Sequence, residues 1–68
     1  MKNLKRLVDL GRDCRQWREE HGHTQKEIAV SSGYSQQLVS MYERGIANNA
    51  LILAEYIKRG FTINGEKI

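Results

Sequence analysis

Thr24, Glu27, Ala29, Gly33, Ser35 and Val39 stand at spacings that few backbones can satisfy in so short a stretch. Thr24 followed three residues on by Glu27 is a capping box: each side chain meets the other residue's backbone N–H, so a helix opens at Gln25. Ala29, a small residue on that helix, lets a second backbone come close. Gly33 falls where the chain must turn, and a residue free to take positive φ costs least there. Ser35 is a natural N-cap for a second helix, and Val39 lies one turn into it, directed back at Ala29. The spacing predicts two helices joined by a short glycine turn and crossing steeply, a helix-turn-helix over about residues 24–45.

The second helix has two unlike faces. At 100° per residue, Leu38, Val39 and Tyr42 fall in one apolar sector with Glu43 at its edge. Gln36, Gln37, Ser40, Met41 and Arg44 fall in the other. No charged residue occurs from Ile28 to Tyr42, although 28% of the chain is charged. A face that merely meets water usually carries lysine and glutamate. Neutral amides and hydroxyls instead both donate and accept, which suits the edges of base pairs. Glutamine can bond adenine bidentately, and Met41 can touch a thymine methyl. The pattern points to double-stranded DNA read in the major groove.

The segment from Leu10 to Gln25, continued by Lys26-Glu27-Ile28-Ala29, Gly33, Ser35, Val39-Ser40 and Glu43-Arg44-Gly45, resembles the Cro and phage-repressor (XRE-like) DNA-binding domain. The likeness covers roughly residues 10 to 57. It implies a lambda-repressor-like helical bundle that binds operators as a homodimer and regulates transcription, in the cytoplasm of a bacterium or from a phage genome. Carried over by position, it implies base contacts from Gln36, Gln37, Ser40 and Met41. Phosphate contacts would come from Gln25, Tyr34, Ser35, Arg44, Asn48 and Asn49. Ala29, Gly33 and Val39 would be structural, with Arg18 and Glu43 forming an internal salt bridge. The chain departs from its relatives at several points. His23 stands where they usually carry an aliphatic residue, and Cys14 fills an isoleucine-type core position. The loop after Gly45 is short and lacks the usual basic residues. The usual fifth helix is replaced by residues 61–68.

Sixty-eight residues make a single domain with a thin core, burying about 60% of its unfolded surface. The expected fold is all-α: a small four-helix bundle with a short C-terminal strand or hairpin. A first helix should start at Asn3 or Asp9 and run to His21, with Gly22 as its stop and Gly11 as a weak point or break. The HTH helices should span Gln25–Ser31 and Gln36–Arg44. A fourth, capped by Asn48 or Asn49, should run to Arg59 with Leu51, Leu53, Ala54 and Ile57 closing over the core. After Gly60 the period changes to an alternation of Phe61 and Ile63, and Asn64-Gly65 favours a hairpin turn. A hairpin so short is marginal alone. The 60–68 tail is either loosely packed through Phe61 or pairs with the same segment of a second subunit.

Net charge is +3, and the first 18 residues carry six lysines and arginines against Asp9 and Asp13, enough to steer a dimer towards DNA. One cysteine cannot form an internal disulfide, and Cys14 keeps helical register with Leu10 and Trp17 as a core thiol. No apolar run suits a signal peptide or a membrane span. His21, His23 and Cys14 lack the spacing of a metal site. Ser31, His23 and Glu27 make no more of a catalytic set than any polar surface offers. The expectation is therefore a non-enzyme without cofactor, metal or small-molecule substrate. The competing reading is a protein-interaction module, antitoxin-like or an anti-repressor partner, that keeps the fold without binding DNA.

Overall fold

The computed structural model describes the backbone of residues 7–63 and the side chains of 8–63, in four helices: α1 Leu7–Glu20, α2 Gln25–Ser32, α3 Gln36–Glu43 and α4 Ala50–Lys58. The local signals work as expected. Thr24 Oγ1 accepts from Glu27 N at 3.1 Å, and Glu27 Oε1 accepts from Thr24 N at 3.0 Å, closing the capping box. Gly33 takes φ 82°, and its N–H returns to the carbonyls of Ala29 and Val30. Ser35 Oγ accepts from Leu38 N at 3.1 Å. Of the two asparagines considered for the fourth cap, Asn49 serves, its Oδ1 accepting from Leu51 N and Ile52 N.

The four helices close over Cys14, Ile28, Ala29, Val39, Tyr42, Ile52, Tyr56 and Phe61. Ala29 and Val39 are both buried, as their facing positions in α2 and α3 require. Cys14 lies fully inside, and burial pushes its thiol up to about 12, so it behaves as a small apolar residue. The Tyr42 hydroxyl, also inside, has the weakly polar Cys14 thiol beside it and makes no well-formed hydrogen bond.

Two expectations are corrected. Gly11 neither breaks nor weakly interrupts α1, which runs unbroken through it. A Cβ at this position would sit 2.3 Å from the carbonyl oxygen of Tyr42 and 2.9 Å from that of Glu43. The glycine is there because the end of α3 lies directly on α1, and only a bare backbone fits between them. In α4 the fully buried residues are Ile52, Glu55 and Tyr56; Leu53 and Ile57 do pack against the core, half-buried, but Leu51 and Ala54 are exposed. The run from Ala50 to Ala54 is apolar all round, so hydropathy does not choose its inner face. The boundaries of the other helices shift by a residue: α2 extends to Ser32, α3 stops at Glu43, and α4 at Lys58.

Phe61 is buried against Trp17 and Tyr56, with edge-on ring contacts to both, and its N–H bonds the Tyr56 carbonyl at 3.0 Å. Among the described residues Ile63 alone is in a β-bridge, while the expected Asn64-Gly65 turn and the rest of the tail lie outside the described residues. The same holds for a start of α1 at Asn3. Among the described residues no helix is long and apolar enough to cross a membrane.

Candidate nucleic-acid interface

The N-terminal half of α3 is where the unlike faces matter. Gln36 and Gln37 are exposed, and among the described residues neither side chain has a bonding partner. Ser40 and Met41, a turn further on, are half-buried at the flank of the same face. Arg44 follows as the C-cap residue, exposed, with its Nε reaching back to the Ser40 carbonyl at 3.4 Å. The opposite side of α3, Val39 and Tyr42, is packed on α2 and α1. The helix therefore presents amides outward because its apolar residues are committed inward.

The other candidates differ in how they are held. Ser35 and Asn48 are exposed. Ser35 and Asn49 each accept from a helix N-terminus through the side-chain oxygen, which leaves the donor capacity of the hydroxyl and of the amide nitrogen unused by those bonds. Tyr34 is half-buried, its ring packed against the core. Gln25 is half-buried at the start of α2 and is not a free surface amide: its Nε2 donates to Glu43 Oε1 at 3.1 Å.

That bond leads into the most polar part of the interior. Glu43, only 3% exposed, ends α3 and takes Arg18 of α1 as a fork, Nε to Oε2 at 2.8 Å and Nη2 to Oε1 at 3.1 Å. The salt bridge implied by the family likeness is thus present, and buried. Arg18 Nη1 also donates to the His23 carbonyl at 3.1 Å, tying the loop before α2 to the same cation. Tyr56 of α4 donates its hydroxyl to Glu43 Oε2. Hydrogen bonding to Glu43 holds the Arg18 guanidinium in its charged form, above its ordinary range. Burial, reinforced by the bond to Glu43, pushes the Tyr56 hydroxyl well above the usual tyrosine range. A charge so buried is tolerable only when its hydrogen-bonding capacity is filled.

Sequence reasoning missed Tyr56. The signal available was its position one turn after Ile52, on a stripe that starts at the Asn49 cap. It also missed a second polar group on the far side of α2. There Arg59 Nε donates to the buried Glu55 at 2.7 Å and Arg59 Nη2 to Ser31 Oγ at 2.7 Å. His23, the departure from the aliphatic norm, stacks on Trp17 and lies 3.4 Å from both Glu27 Oε1 and Arg59 Nη1. Glu27 is held below the usual carboxylate range, first by the Thr24 N–H. Arg59 thus fastens the end of α4 to Ser31 of α2, with the His23–Glu27 pair beside it.

A helix-turn-helix family model matches residues 15–62, from within α1 to just past Phe61. The chain belongs to the Cro and phage-repressor helix-turn-helix family. Membership makes it a DNA-binding regulator of the helix-turn-helix type, and the α2–turn–α3 geometry is the part of the molecule that carries the family's motif. No curated protein and no solved structure matches the chain.

Proposed function

We propose that this helix-turn-helix protein is a Cro-like repressor that reads a specific operator through the major groove as a homodimer. The observation that carries the reading is the uncharged, outward face of α3, held out by the packing of Val39 on Ala29. In this reading Gln36 and Gln37 meet base edges first, with Ser40 and Met41 following along the groove. Gln25, Tyr34, Ser35, Arg44, Asn48 and Asn49 hold the sugar-phosphate backbone, which positions the helix without specifying sequence. Two-fold symmetry would place the two recognition helices about 34 Å apart on a near-palindromic site.

Selection of bound sites from random duplexes tests all of this at once. The expected outcome is an enriched, two-fold symmetric sequence whose half-sites are one helical turn apart, with affinity that falls steeply as salt rises. Enrichment of a single asymmetric half-site would remove the homodimer. Absence of any salt-dependent affinity for duplex would remove the DNA reading, and leave the same fold serving as a protein-interaction module.

A further inference from the structure

We infer that Glu43 is a positioning residue for DNA binding: from inside the fold it fixes the carboxamide of Gln25 so that one N–H is offered to a phosphate oxygen. The inference rests on the DNA reading above and adds to it the group that aims one of the backbone contacts. A carboxylate has about four lone-pair sites and no proton to give. Glu43 fills all four: Oε2 takes Arg18 Nε and the Tyr56 hydroxyl, and Oε1 takes Arg18 Nη2 and Gln25 Nε2.

Two consequences follow from chemistry alone. Because Glu43 only accepts, the side of the Gln25 amide that faces it must be the nitrogen, so the amide cannot flip to present its oxygen inward. Because an amide nitrogen has two hydrogens, one remains after Glu43 has taken the other, and a phosphodiester oxygen, which also only accepts, can use it. Glu43 is itself immobilised by the Arg18 fork and by Tyr56 from α4. The direction of that free N–H is therefore set by α1, α3 and α4 together, not by the rotamer preferences of a surface glutamine. Preorganisation of this kind lowers the entropy lost when the contact forms.

The experiment combines side-chain NMR with duplex titration. In the protein without DNA, the Gln25 carboxamide should be as ordered as the backbone on the nanosecond scale, and Glu43→Asp, which draws the carboxylate back by one methylene, should free it. On the selected duplex at fixed salt, Gln25→Met should weaken binding by about tenfold, the loss expected for a hydrogen bond to a charged group. Glu43→Asp should weaken binding comparably on its own, yet by less than about twofold in the Gln25→Met background, because the two changes act through one contact. A purely structural role for Glu43 predicts equal losses in both backgrounds, and that result overturns the inference. So does a freely rotating Gln25 amide in the unaltered protein, a measurement that stands even if Glu43→Asp does not fold. An unaltered protein without affinity for any duplex would remove the DNA reading and this inference with it. Independent losses on a duplex that still binds would remove this inference alone.

Discussion

The two ends of α3 are built on opposite principles. Its first turn, from Ser35 to Gln37, is exposed and uncharged, and no side chain there is needed by the core beyond the Ser35 cap. Its last turn, Tyr42 and Glu43, is buried, presses its carbonyls on Gly11, and carries the carboxylate that collects donors from three other parts of the chain. One helix is thus anchored at one end so that the other can be presented at a fixed angle. Such a division predicts that changes at the anchored end cost stability, reaching recognition only through Gln25, whereas changes at the presented end cost recognition alone.

The hardest blow to the anchored end is Arg18→Met. It leaves Glu43 buried without its counter-ion, and urea unfolding should show a loss of about 3–5 kcal/mol. A smaller loss would mean that Glu43 finds another cation or water, and that the anchor is looser than it looks. Gly11→Ala should come next, towards the upper end of the roughly 1–3 kcal/mol typical of overpacking. In an exposed helix the same change would stabilise by about 1 kcal/mol, so the sign alone decides whether α3 truly rests on α1. At the presented end, Gln37→Ala should leave the unfolding midpoint within about 0.5 kcal/mol of the parent. Its cost should fall on the selected duplex instead, roughly 1–3 kcal/mol with relaxed preference at one base pair. Equal losses in stability and affinity would erase the distinction between the two ends. The smallest effect is expected from Tyr42→Phe, which removes a buried hydroxyl that has no proper partner. Thermal unfolding should show it neutral or stabilising by less than about 1 kcal/mol, because no hydrogen bond is lost and less polar surface is buried.

The same contrast explains which features could be read from the chain itself. Thr24, Glu27, Gly33, Ser35 and Asn49 act on backbone within a few residues of themselves, so their roles follow from spacing, and the structure places each cap where spacing puts it. The amide face of α3 was legible for a similar reason: helical period sorts its residues without reference to any partner. Gly11 was not legible. Its constraint comes from carbonyls more than thirty positions away, and nothing near it distinguishes a close crossing from an ordinary defect. The inner face of α4 failed for another reason. Leu51 and Ile52 are equally apolar, and the choice between them is made by Tyr56 and Glu55, which turn inward to reach Glu43 and Arg59. The Arg18–Glu43 pair was visible only through the family likeness, since two charges 25 residues apart carry no local sign of meeting.

Because the interior donors converge on a residue that does not itself face outward, Gln36 and Gln37, the exposed pair proposed to read bases first, are free of duties in folding. Those two side chains can be exchanged for the pair of another repressor, and the scaffold would not register the graft. A lineage built this way can wander from one operator to the next by surface substitution alone, with foldability never at stake along the route.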